Sequence, residues 1–286
     1  MRTAIDELTA GFEEPFRALG RDAARDRDAV VISWPSVPIE IVRAAGLRPV
    51  FARGGGDATP AADGVLEPEL FPRRLHALVE AALTGRLAHA AAIVLPRTSD
   101  PDYKGFLYLR ELVRRGAVAA LPPVLLFDLL HSSSGEVAEY DVARTRDLCD
   151  RLAGISGRHP SADDLRLAIR ETNAARAAAR RLDALRRSGP GLGGPQVGGP
   201  QLDGSRLGGP RLGGSEALPL LGAFWQVPPE RYAALASEAA DAIATRPPLE
   251  GPRVLLAGVP VDSRALHEAL ESRGAIVVAE MSPYGA

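Results

Sequence analysis

The chain has 286 residues with a formal net charge of −2 and a pI near 6.2, long enough to bury the core of one or two domains and too evenly charged for a nucleic-acid binder or a polybasic membrane surface. Cys149 is the single cysteine, which excludes a disulfide framework and a cysteine metal site held within this chain. No apolar stretch is long enough to span a bilayer and no apolar run near Met1 suits a signal peptide, so a cytoplasmic protein is expected.

Taken in order, residues 3–21 carry Ala4, Ile5, Leu8, Phe12, Phe16 and Leu19 at helical spacing, closed by Gly20. Val30–Ser33 reads as a short buried strand. Trp34-Pro-Ser-Val-Pro38 breaks it, a helix follows over Pro38–Ala45, and Leu47–Ala52 is the next strand. Arg53-Gly-Gly-Gly-Asp57 lacks a Walker or G-x-G-x-x-G pattern and reads as a plain loop that continues to about Pro68. An amphipathic helix over Phe71–Gly85 leads to the strand Ala91–Leu95, then to a helix that starts near Asp102 and runs to Gly116. Pro122–Asp128 is a further buried strand with the exit loop Leu129–Gly135. Strands alternating with helices at this spacing imply βαβ units and a parallel sheet, with the loops at 34–37, 53–57, 96–101 and 129–135 along one rim.

Two long helices are expected over 134–154 and 161–187. The second opens Ser161-Ala-Asp-Asp164, a capping-box pattern, and carries Leu165, Ala168, Ile169, Asn173, Ala177, Ala178, Leu182 and Leu185 as its buried stripe. Gly189–Ser215 is a Gly/Pro-rich run read as a disordered insert. Helices over Glu216–Trp225 and Pro228–Thr245 follow. A strand at Arg253–Gly258, a helix at Ser263–Arg273 capped by Asp262 or Ser263, and a strand at Ala275–Ala279 make one βαβ unit. Such a unit cannot bury both sheet faces alone; it reads as the start of a truncated second α/β domain or a piece that docks onto something larger. The expected organisation is an α/β domain over 1–133, a helical segment over 134–187, the insert over 188–215, and helices plus the partial α/β unit over 216–286.

The stretch Val94–Lys104 stands out because a strand ends in Thr98-Ser99-Asp100 just before a helix. Ligands of parallel sheets gather at carboxyl ends of strands and N-termini of helices. Two roles are open to these side chains: chemistry at the rim, or capping of the helix that follows.

Several segments together resemble the 2-hydroxyacyl-CoA dehydratase and benzoyl-CoA reductase family, in particular the 2-hydroxyglutaryl-CoA dehydratase D-component. Ser36-Val-Pro-Ile-Glu-Ile-Val-Arg-Ala-Ala-Gly-Leu-Arg-Pro-Val50 is similar to the family's P-x-E-(L/I)-(I/L)-x-A-A-G-x-x-P-V. Arg97-Thr-Ser-Asp-Pro-Asp-Tyr-Lys104 is similar to its S/T-C-D turn. The helix around Asp163–Arg176 with Leu182–Arg186 is similar to its L-x-x-A-I-x-x-x-N-x-x-R…L-R pattern. Gly274-Ala-Ile-Val-Val-Ala-Glu280 is similar to its G-A-x-V-V-x-(D/E) unit. The resemblance implies a Rossmann- or flavodoxin-like N-terminal domain, acyl-CoA chemistry, and an iron–sulfur cluster held by cysteines between α/β domains. It also implies a homologous partner subunit or a self-dimer.

The cysteine positions depart from that pattern. Ser33-Trp-Pro-Ser36 stands before P-x-E, Ser99 stands in the C-D turn, and Met281-Ser-Pro-Tyr284 stands after V-V-x-(D/E). A hydroxyl is a poor substitute for a thiolate on iron, so no cluster and no other cofactor is expected on this chain itself. Three functions are open: a cluster-free subunit of an acyl-CoA dehydratase or reductase complex, an active dehydratase subunit whose cluster a partner supplies, and a non-catalytic structural remnant. In the first, Ser36, Ser99, Asp100 and Lys104 are the expected acyl-CoA or partner contacts. In the second, Asp100 and His131, with Asp128, are the candidates for proton transfer.

Overall fold

Residues 29–32 read Ala-Val-Val-Ile, apolar and mostly β-branched, and all four are buried in strand β1 (Ala29–Ile32). In this computed structural model, which describes residues 3–54, 56–118, 120–187, 209–258 and 263–281 (Glu14 without its side chain), β1 lies inside a four-stranded sheet. The chain forms two compact units, Glu14–Arg170 and Met1–Glu13 with Glu171–Ala286.

Within Glu14–Arg170 the sheet contains β1, β2 (Arg48–Phe51), β3 (Ala92–Pro96) and β4 (Val124–Phe127), all parallel, in the order β2-β1-β3-β4. Near-continuous apolar strands suit a parallel sheet covered on both faces. The helices of this unit are the end of α1 (Ala4–Ala18), α2 (Ala23–Asp26), α3 (Ile39–Ala44), α4 (Pro60–Asp63), α5 (Arg73–Leu83), α6 (Asp100–Arg114), α7 (Gly135–Ser156) and the first part of α8 (Ala162–Arg187). Leu75, Leu78, Val79 and Ala82 of α5 repeat at helical spacing and pack with Ile93, Leu95, Leu109 and Phe71 in one core.

The other unit joins the start of α1 and the end of α8 to α9 (Gly214–Gly222), a 3₁₀ turn at Ala223–Trp225, α10 (Pro229–Ala244), β5 (Arg253–Leu256), α11 (Ala265–Glu271) and β6 (Ile276–Glu280). β5 and β6 form a two-stranded parallel sheet. The Glu271 carboxylate accepts the Gly214 amide at 2.5 Å and the Ser215 amide at 3.2 Å, so the first amides of α9 are satisfied by a side chain from α11.

Several expectations need correction. The loop expected up to Pro68 contains the short helix α4: Pro60 presets its first turn, and the Thr59 hydroxyl donates to Asp63 Oδ1 at 2.8 Å. The buried stripe of α8 holds at Ala168, Ala178, Leu182 and Leu185 and fails at its other four positions. Leu165, Ile169, Asn173 and Ala177 are exposed, whereas Ala168, Thr172, Ala175, Ala179, Leu182 and Arg186 are buried. The inward face carries small side chains over residues 168–179 and the larger Leu182, Leu185 and Arg186 toward the end of the helix. Leu167 joins the exposed set at 48 %. The capping box holds, with Ser161 and Asp164 exchanging hydrogen bonds between side chains and amides. In the β5–β6 sheet, Ile276, Val277 and Val278 are buried and Leu255 of β5 is 60 % exposed. α11 begins after Arg264 without a side-chain cap, and Asp262 lies outside the described residues. Residues 188–208 of the glycine-rich run also lie outside them.

Candidate functional site

All four strands of the larger sheet point the same way, so the loops leaving β1, β2, β3 and β4 share one rim. From β1 the chain crosses to β2 on one side, and from β3 it crosses to β4 on the other. The crevice between the carboxyl ends of β1 and β3 is therefore the point where the strand order reverses, the usual ligand position in such sheets.

A closed network of polar side chains fills that point. The Ser33 hydroxyl, directly after β1, donates to Asp102 Oδ1 at 2.7 Å. Arg74, on the first turn of α5, donates through Nη2 to Asp102 Oδ2 at 2.7 Å and through Nε to the Ser33 carbonyl at 3.0 Å. Ser33, Arg74 and Asp102 are all buried. The Arg74 guanidinium also lies 4.2 Å from the centre of the Trp34 ring, a cation–π arrangement. Ser99 is the N-cap of α6; its hydroxyl donates to Asp102 Oδ2 and accepts the Asp102 amide at 3.4 Å. Beside this, the Ser36 and Thr98 hydroxyls are hydrogen-bonded at 3.0 Å. A buried ion pair survives only when its remaining lone pairs and protons are occupied, and here both oxygens of Asp102 are.

Gly54 positions this network from the other side. A Cβ there would lie 2.6 Å from the Arg73 carbonyl carbon and 2.7 Å from the Arg74 amide nitrogen, so only glycine lets the exit loop of β2 rest against the start of α5.

Further along the rim, Arg97 pairs with Asp128 at 3.3 Å and stacks 4.9 Å from the centre of Tyr103. The Tyr140 hydroxyl donates to the same Asp128 carboxylate at 2.8 Å. That hydrogen bond, helped by burial and the Asp128 charge, pushes the Tyr140 phenol above its ordinary range.

The sequence-derived candidates divide. Ser99 is both cap and network member, whereas Ser36 pairs with Thr98 beside the network. Asp100 opens α6 with its side chain 89 % exposed, and Lys104 lies 4.0 Å from it as an i,i+4 surface pair. His131 is exposed in the loop after β4 and stands outside the network. Asp128 is held by Arg97 and Tyr140. Arg74 and Asp102 were not among the sequence candidates. Their signals were present: an acid three residues after the N-cap Ser99, and an arginine at the start of the amphipathic helix α5, next to its apolar Leu75, Leu78 and Val79.

The resemblance implies a thiolate-held iron–sulfur cluster, and the side chains at this rim do not fit one. The donors here are hydroxyls already bonded to one another and to Asp102, poor ligands for iron. Cys149 lies on α7, half-buried, and burial pushes its thiol up, away from the thiolate form. Among the described residues no group of His, Cys, Asp and Glu has the arrangement to hold a metal ion.

A protein-family comparison matches residues 36–286 to the 2-hydroxyglutaryl-CoA dehydratase, D-component, family. The chain belongs to this family. No curated protein sequence matches it. In this D-component family member the matched region begins at Ser36, within the first rim loop, and takes in Thr98, Ser99 and Asp102. It also has one cysteine in all. Among the described residues no helix is long and apolar enough to cross a membrane.

Proposed function

We propose that this D-component family member is a cluster-free subunit of an acyl-CoA dehydratase- or reductase-type complex, which holds an acyl-CoA or a homologous subunit at the rim where β1 and β3 end. One observation carries the reading. The rim stretches expected to bear thiolates hold Ser33-Trp-Pro-Ser36 and Ser99; Ser33 and Ser99 are tied into a network closed by Arg74 and Asp102, and Ser36 pairs with Thr98 beside it. A network with its hydrogen-bonding capacity satisfied internally is a preorganised wall and not an open ligand set.

Ser36, Ser99, Asp100 and Lys104 are the contacts proposed for the ligand or partner, with Asp100 and Lys104 at the exposed mouth. The strand order β2-β1-β3-β4 supports a flavodoxin-like sheet for this unit. Subunits of this chemistry act in pairs, so a self-dimer or a cluster-bearing homologous subunit is the proposed partner, in the cytoplasm.

The test is a titration of the purified chain with CoA thioesters, together with co-expression of a cluster-bearing subunit of the same family. Binding of either one that weakens at least tenfold in Ser36→Ala/Lys104→Ala supports the reading. No binding of thioesters together with a lone, unpaired chain would sink it.

A further inference from the structure

At the carboxyl ends of β1 and β3, the places that favour an anion are already filled from within. The first turn of α6, whose free amides and helix dipole attract negative charge, receives the carboxylate of its own third residue, Asp102, after the N-cap Ser99. The buried Arg74 guanidinium gives Nη2 to the same carboxylate at 2.7 Å and Nε to the Ser33 carbonyl at 3.0 Å.

Two hydroxyls complete this arrangement, and both act as donors. Ser33 gives its proton to Asp102 Oδ1 at 2.7 Å, and Ser99 gives its proton to Oδ2. The roles do not exchange, because a carboxylate only accepts. A side chain at 33 or 99 must therefore bring a proton toward Asp102. A thiolate has none and would stand as a second negative charge beside the first. Ser33 and Asp102 are fully buried, where like charges at contact distance oppose one another strongly. Arg74 carries one positive charge, already matched by Asp102, so a thiolate at 33 or 99 leaves this group of side chains net negative. The neighbouring charges on the same turn are engaged elsewhere: Asp100 points to solvent beside Lys104, and Arg97 pairs with Asp128.

We infer that Asp102 closes the crevice between β1 and β3 to anions, so that positions 33 and 99 take a hydroxyl and refuse a thiolate. The consequence for a cluster rests on the cluster-free reading above. Cysteines restored at these positions would not by themselves restore a cluster, since the buried carboxylate opposes the ionised form that ligates iron. An uncharged group such as a thioester meets no such opposition.

The test uses the full chain with Cys149→Ser, which removes its single native thiol. Ser99→Cys is made in that background with and without Asp102→Asn. Ser36→Cys is the control, because the Ser36 hydroxyl meets Thr98 and not Asp102. The pH profile of alkylation by iodoacetamide reads the thiolate fraction, and its midpoint does not depend on how accessible the thiol is. Asp102→Asn is expected to lower the midpoint of Ser99→Cys by about one pH unit or more, roughly tenfold in thiolate at fixed pH, and to leave Ser36→Cys unchanged. An unchanged midpoint at position 99 overturns the role of Asp102, and so does an equal fall at both positions. Circular dichroism checks that each variant folds. If Asp102→Asn does not, the two profiles with Asp102 in place decide: a higher midpoint for Ser99→Cys than for Ser36→Cys is expected, and an equal or lower one overturns the inference. Iron and sulfide on the wild-type chain would remove the cluster-free reading, and these profiles would still decide the role of Asp102.

Discussion

Each compact unit buries an arginine against a carboxylate, and the two arrangements differ in how completely they are satisfied. At the rim of the four-stranded sheet, Arg74 and Asp102 are enclosed by hydroxyls and the Ser33 carbonyl, and both carboxylate oxygens are occupied. In the β5–β6 unit, Arg186 of α8 donates to Glu280 Oε1 at 3.1 Å, His267 Nε2 lies 3.1 Å from Glu280 Oε2, and Asp183 Oδ1 lies 3.6 Å from Arg186. Arg186 Nε, His267 Nδ1 and Asp183 Oδ1 have no hydrogen-bond partner there. Burial drives Asp183 up despite Arg187 and Arg186. Burial also pushes Glu280 up, but the His267 hydrogen bond and the Arg186 charge outweigh it and leave Glu280 below its usual range. The satisfied network closes the point where the strand order reverses, whereas the partly satisfied cluster ties α8, α11 and β6 together.

The largest effect is expected from breaking the first network. Asp102→Ala leaves Arg74 buried without its partner and should lower unfolding stability by about 3–5 kcal/mol. The double variant with Arg74→Met should lose less than the sum of the two single losses, measured by urea denaturation. Additive losses would show that the two residues are not coupled. Gly54→Ala should cost about 1–3 kcal/mol, since the new methyl meets backbone of α5. A cost near zero would mean that the exit loop of β2 does not hold Arg74.

Glu280→Gln should cost about 2 kcal/mol at pH 7. A carboxylate whose folded pKa is depressed contributes stability that is present above its unfolded pKa and lost as pH falls through the folded value. The difference between Glu280→Gln and wild type should therefore shrink below the ordinary glutamate range. Asp183, with its pKa raised, has the opposite sign: its penalty is present at neutral pH and is relieved on acidification. A Glu280→Gln difference that grows toward low pH would reverse the assignment. Ser161→Ala, which removes one half of the α8 capping box, should cost about 1 kcal/mol. Leu167→Ser, on the exposed face of α8, should stay within about 0.5 kcal/mol of wild type in thermal unfolding; a larger loss would show that this face is covered.

Much of the larger sheet is legible in the sequence because its signals are local. Apolar strands ended by Pro, Gly or hydroxyl residues give β1 to β4, and a parallel sheet then puts Ser36 and Ser99 on one rim. The core of the candidate site is not legible, since its decisive contacts are remote in sequence. Ser33 meets Asp102 across 69 residues and Arg74 meets it across 28; no periodicity encodes those pairs. In α8 the alanine-rich composition offers two similar stripes, and packing selects the one with Thr172 and Ala175 over the one with Leu165 and Ile169. Asp100 and His131 drew notice as polar residues at strand ends, but side chains in such loops face solvent unless a partner draws them inward, and Arg74 draws in Asp102 instead.

Iron and acid-labile sulfide, measured on the chain purified without oxygen and again after attempted cluster reconstitution, test the central claim most directly. Hydroxyls at the rim predict neither element above background and no visible absorbance beyond the aromatic band. Stoichiometric iron and sulfide on a sample that runs as this chain alone would contradict the account.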